Sequence, residues 1–125
     1  MTTLFRYSQH FRDTATEILA AAAAQDRFQE FVRAKAQDPT QQFGSSDRPF
    51  TGGSPLGQIR PRLMHAHITQ DLSVVYHVSG RNPTVVSIHG IFSHQDLGTG
   101  TPNNIRRQKS SAKQFQSNID NNRFQ

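Results

Sequence analysis

The 125-residue chain has no cysteine, which excludes disulfides and thiolate metal centres and fits a reducing compartment such as the cytoplasm. It also lacks any run long and apolar enough to cross a bilayer, so no membrane partner is expected. The stretch Ile18 to Ala24 resembles a signal-peptide core only in composition. It follows Arg12, Asp13 and Glu17 and lies well inside the chain, so it reads as an alanine-rich helix face. Apolar residues are scarce, at 34%, below the usual share for a globular protein. Part of the chain should therefore lie outside the core. Thr99 to Gln125 is the candidate, because only Ile105, Phe115, Ile119 and Phe124 interrupt its Asn, Gln, Ser, Lys and Arg. It reads as a flexible basic tail or a short polar helix. Residues 1–98 then form one small domain, enough for one modest core.

Acidic residues are the other scarcity, and it is uneven. Residues 1–47 carry five basic and six acidic side chains, a net −1, whereas residues 48–125 carry nine basic and three acidic, a net +6. The second half is where a polyanion would sit. The basic tail suits ribosomal RNA or an acidic protein partner equally, and as a solvated surface it would simply aid solubility.

What is present is ordered by periodicity. Leu4-Phe5-Arg6-Tyr7 alternates as a short strand. Ser8 stands as an N-cap, and Phe11, Ala15, Ile18, Leu19 and Ala22 recur at helical spacing, with alanines 20 to 24 favouring helix. A second helix is expected over about Asp26 to Ala36, ended by Asp38-Pro39. Residues 38 to 61 form a long loop rich in Gly, Pro, Ser and Gln, of the length that tends to carry function. Its Phe43 and Phe50 suit packing on the helices better than stacking on bases.

The period then switches to two. A strand over Arg62 to Ile68 places Leu63, His65 and His67 on one face and Met64, Ala66 and Ile68 on the other. Thr69-Gln70-Asp71 turns into a strand over Leu72 to Ser79, and a third strand covers Thr84 to Phe92. The order β-α-α-β-β-β specifies an α+β fold: a helical hairpin on one face of a small antiparallel sheet, with the other face open to a ligand.

Several short motifs, in this order, resemble the RelE/ParE superfamily of toxin–antitoxin toxins, and its YafQ branch most. They are Tyr7-Ser8 with Phe11 and Asp13 where a strand enters the first helix, Ser54-Pro55-Leu56 before the sheet, His65 through Tyr76 as the central hairpin, and Ser93-His94 after the last strand. The resemblance covers about residues 4 to 98. It implies a RelE-like fold and a ribosome-dependent endoribonuclease that cuts mRNA in the A site, neutralised by a cognate antitoxin. Three positions depart from the branch's pattern. Ser54 stands where a His usually precedes Pro-Leu, Leu72 where an aromatic usually follows the hairpin Asp, and Leu97-Gly98 where a Phe usually follows the terminal His.

Metal-free RNA cleavage needs a base for the ribose 2′-OH, an acid for the leaving 5′-oxygen and cations for the phosphorane charge. Histidine suits both proton roles. The resemblance makes His94 the general acid and places His67 and Asp71 on the opposite side as the base or its partner. Arg60 and Arg62, ahead of the strand, are the expected phosphate binders, with His65 beside them as a weaker candidate. His77 and His89 read as structural, and His10 as remote. Neither a cofactor nor a metal is expected, although His65-x-His67 with Asp71, His89 or His94 offers zinc-type ligands. A ParE-like gyrase inhibitor or a catalytically inactive binding member would share the fold but has no need of His67, Asp71 and His94 together.

Overall fold

A computed structural model describes residues 2–125. Its five-stranded sheet has the order β1 (Thr3–Tyr7), β5 (Thr84–Ser93), β4 (Leu72–Ser79), β3 (Met64–His67) and β2 (Arg48–Pro49). Pairing is antiparallel except between β1 and β5, which run parallel with Phe5 opposite Val86. The sheet is thus mostly rather than wholly antiparallel. β2 is a two-residue edge strand inside the expected loop, and β3 starts at Met64 instead of Arg62.

The hairpin helices are α1 (Gln9–Ile18) and α2 (Ala22–Gln37). The Ser8 hydroxyl caps α1 by accepting from the Phe11 N–H. The break falls at residues 19–21, inside the alanine run, so Ala22 opens α2 and does not continue α1. Alanine favours helix but offers no side-chain cap, and the need to lay both helices on the sheet outweighs local propensity. The two helices bury Phe11, Phe28 and Phe31 against Ala66, Val74, Tyr76, Val86 and Ile88. The alternation of β3, β4 and β5 aims these sheet residues at the hairpin, as their sequence pattern requires.

One ion pair lies inside that apolar layer. Lys35 Nζ lies 2.7 Å from Asp47 Oδ2, with the two side chains only 2% and 1% exposed. The Lys35 ammonium also donates to the Gln41 carbonyl, the Phe43 N–H donates to Asp47, and the Tyr76 hydroxyl donates to the other Asp47 oxygen. Burial first, and then the Asp47 carboxylate, push the Tyr76 hydroxyl's pKa up. Every charge has partners, which makes its burial tolerable. The network ties the loop to α2 and β4 one residue before β2.

Residues 105–120, expected to lie outside the core, form a sixteen-residue helix, α4 (Ile105–Asp120). Phe115 is 2% exposed and packs with Leu56, Ile59, Leu63, Val75 and Leu97 in a second core on the far side of the sheet. The chain then returns to the first strand. Tyr7 and Gln125 exchange two backbone hydrogen bonds, of 2.8 and 3.0 Å, and Phe124 packs edge-on against His77 and His89. The polar composition hid this because a one-sided helix needs few apolar residues. Among the described residues no helix is long and apolar enough to cross a membrane.

Candidate active site

The two cores leave a hollow at one end of the sheet's far face. Its cavity of about 570 Å³ is lined by Arg48, Phe50, His65, His67, Ser73, His94 and Gln108 among others. β3 supplies His65 and His67, whose odd positions turn both away from the hairpin. β2 brings Arg48 opposite His65 in the sheet register. The loop is held there from behind by the Asp47 network and from the front by the Ser46 hydroxyl, which accepts from the His67 N–H at 3.0 Å.

His94 opens the short helix α3 (His94–Leu97), which Ser93 caps by accepting from the Asp96 N–H. Gly98 closes that helix with φ +82°, and a Cβ there would lie 2.5 Å from the Asn104 carbonyl oxygen. Only glycine both takes the left-handed turn and lets the chain fold back so closely. α4 is thereby drawn against α3, and Ile105 and Gln108 become part of the hollow's wall. Gln108, itself buried, accepts from the Ser54 hydroxyl at 2.6 Å and donates to the Gly98 carbonyl and to Asn103.

Of the expected trio, His67 and His94 are neighbours, whereas Asp71 stands beside His94 and not beside His67, where it was expected. The rings of His67 and His94 meet edge to face with centroids 5.2 Å apart. Nδ1 of His94 stands 3.4 Å from Asp71 Oδ1, an ion-pair distance. Asp71 belongs to a second hollow on the other side of His94, formed with Gln95 and the 98–104 loop. His94 is thus the ridge between two open spaces. Burial, then the charges of His94 and Arg48, lower the His67 pKa and so favour the neutral imidazole. His65 stacks on Phe50 at 4.2 Å and is pushed down to about 4, mainly by burial. It lines the hollow as a neutral ring.

Arg60 and Arg62 are not in this hollow. The Arg60 guanidinium turns back onto the Gly57 and Ile59 carbonyls. Arg62 borders a separate hollow with Lys35, Met64 and Tyr76 on the hairpin side. Alternation explains the second case, since residue 62 shares parity with Met64 and Ala66, not with His67. The cation that does reach the hollow is Arg48, which carried no sequence signal beyond its charge. Its edge-strand position next to His65 is a product of long-range pairing. Ser54, in the place of the branch's His, caps a short 3₁₀ turn over Pro55–Gln58 and braces Gln108. Leu72 lies with the hairpin core rather than at the hollow.

The histidines do not assemble a metal site. Among the described residues no three His, Cys, Asp or Glu side chains converge to hold an ion. His89 is buried beneath α4, where its Nε2 lies 2.9 Å from His77 Nδ1. Burial pushes these two rings down to about 3 for His89 and about 4 for His77. His10 lies on α1, stacked on Phe92.

No protein-family model and no curated protein matches the chain. Solved structures do. A YoeB/ParE toxin from Agrobacterium tumefaciens superposes with a TM-score of 0.55 and 17% identity, over 75% of this chain and 99% of that one. A copper-bound mutant toxin from Helicobacter pylori gives 0.57 and 18%, over 78% and 99%. The chain therefore has the fold of YoeB/ParE-type toxins, which the RelE-like reading expected. It also has additional residues, since about a quarter of it has no counterpart in either neighbour.

Proposed function

We propose that this chain is the toxin of a toxin–antitoxin pair, acting in the cytoplasm as a ribosome-dependent mRNA endoribonuclease of the YafQ kind. The observation that carries the proposal is the convergence of His67, His94 and Arg48 around one open hollow, with Asp71 at ion-pair distance from His94 on its other side. The toxin fold supplies the wider setting, and the antitoxin is the partner that such a toxin requires.

The chemistry follows from the arrangement. A phosphodiester seated between His67 and His94 faces Arg48, whose planar guanidinium can hold two phosphate oxygens and offset the extra charge of the phosphorane. Neutral His67 takes the 2′-OH proton as the 2′-oxygen attacks phosphorus. The bond to the 5′-oxygen breaks, and that oxygen leaves with a proton from His94. The products are a 2′,3′-cyclic phosphate and a 5′-hydroxyl. Asp71, at ion-pair distance from Nδ1 of His94, orients that ring so that Nε2 reaches the substrate. Arg48 takes the phosphate role expected of Arg60 and Arg62, which in their present positions suit binding of ribosome or antitoxin.

Primer extension on a defined mRNA, with and without translating ribosomes, tests the proposal. Cuts that appear only with ribosomes and vanish in His94→Ala establish it. An absence of cuts in both samples overturns it, and a DNA supercoiling assay would then test gyrase inhibition.

A further inference from the structure

α4 builds a wall of the hollow with one side and presents a different chemistry on the other. Ile105 and Gln108 turn toward the hollow, and Phe115 toward the core. Opposite Phe115, at spacings of three and four residues, stand Arg106, Lys109 and Lys113, all exposed. Such a spacing aligns side chains in one stripe, here spanning about 10 Å at 1.5 Å per residue. None of the three makes an ion pair among the described residues. The one acid on that side, Asp120, lies two turns beyond Lys113 and accepts a hydrogen bond from Gln116.

These charges do not serve the helix. The first turn of α4 has no acidic residue, and cations there oppose the helix dipole. Like charges three and four residues apart also repel. A helix selected only to cover the sheet would carry acids in its first turn and mixed charges outside. Cations placed against local stability, on the back of a wall of the candidate site, point to an external polyanion.

We infer that the outward stripe of α4, Arg106–Lys109–Lys113, binds the RNA backbone outside the hollow as a sequence-blind extension of the site. The inference rests on the reading that the hollow receives RNA. A strand leaving the hollow over Ile105 meets Arg106 first and then runs along the stripe. The stripe adds affinity and no base preference, because phosphates carry no sequence information. RNA is favoured over an acidic protein because the stripe belongs to the same helix that walls the hollow.

The test uses the full chain and a single-stranded, 2′-O-methylated RNA of about 20 nucleotides, which has no free 2′-OH and cannot be cut. Binding is measured across a salt series for the natural sequence, for Lys109→Gln, and for Arg106→Gln with Lys109→Gln and Lys113→Gln. Each lost phosphate contact on a single strand should lower the slope of log affinity against log salt by roughly 0.7, so the triple variant should lose about 2. At 50 mM salt this corresponds to an affinity loss on the order of 100-fold. Unchanged slopes, or no binding of this RNA by the natural sequence, would overturn the inference. So would loss of poly-glutamate binding with RNA slopes intact, which would assign the stripe to an acidic protein. Because this RNA is never cut, the slopes are read separately from cleavage. Altered slopes without nuclease activity would leave the stripe standing and the proposed reaction rejected, and active cleavage with unaltered slopes would do the reverse.

Discussion

His77 and His89 meet at 2.9 Å under Phe115 and Phe124, with almost no exposure. The ring centroids of His67 and His94 lie 5.2 Å apart, almost the 5.1 Å of the first pair, at the edge of an open hollow beside Arg48, with Asp71 next to His94. The residue type and the sheet are common to both pairs. What differs is the cover. The return of the C-terminal segment to β1 seals the first pair, so each ring satisfies the other and water cannot stabilise a charge. α4 passes beside the second pair and leaves space in front of it, so those rings keep atoms free for a substrate. Which histidines stay open in this protein is set by where α4 stops covering the sheet.

The sharpest way to break the comparison is to remove one member of the open pair. His94→Ala should lower cleavage by roughly 10²–10⁴-fold, the usual contribution of a general acid, with the melting temperature unchanged. A drop in stability with cleavage retained would show that the open pair is structural too. Lys35→Met addresses the scaffold behind the open pair. It leaves the Asp47 carboxylate buried without its cation, which costs roughly 3–5 kcal/mol. Denaturant unfolding should show that loss, and a change below about 1 kcal/mol would mean that water reaches Asp47.

The sealed pair should dominate the acid sensitivity of the fold. Both rings have folded pKa values of about 3 and 4, against 6.5 when exposed. Between those limits the unfolded chain binds more protons, so stability is full above pH 6.5 and falls as the pH drops toward 4. The loss should amount to several kcal/mol. Replacing both residues, as His77→Gln with His89→Gln, should remove most of the fall in unfolding free energy between about pH 6.5 and 4 and leave the part due to His65, whose ring is also pushed down to about 4; an unaltered acid limb would refute the assignment. The smallest effect concerns the cation. Arg48→Lys keeps the charge and loses the planar fork, so cleavage should fall about tenfold, near 1.4 kcal/mol. Equal activity would mean that Arg48 acts only as a distant charge.

Much of this arrangement is legible in the sequence. The odd parity of His65 and His67, the hairpin stripe of Phe28, Phe31 and Val32, the cap at Ser8 and the turn before Asp71 are local patterns, and local sterics fix them. The order of the elements and the superfamily motifs together point to the RelE-like fold. The nearness of His67 to His94 is legible only through that resemblance, and the pairing of Asp71 with His94 rather than with His67 is not legible at all. Arg48 is illegible, because its place depends on a two-residue strand held by a buried ion pair. The ordered helix at 105–120 is illegible as well, because the partners of Phe115 come from separate segments of the chain.

The sequence by itself determined which residues face which side of each element, because backbone geometry alternates every two residues in a strand and every three to four in a helix. Only the tertiary structure decided which of those faces water reaches. It sealed His77 and His89 and left His67 and His94 open. That choice depends on Phe115 and Phe124 finding a surface made by distant strands, and exclusion of water is a property of assembled surfaces rather than of any local pattern.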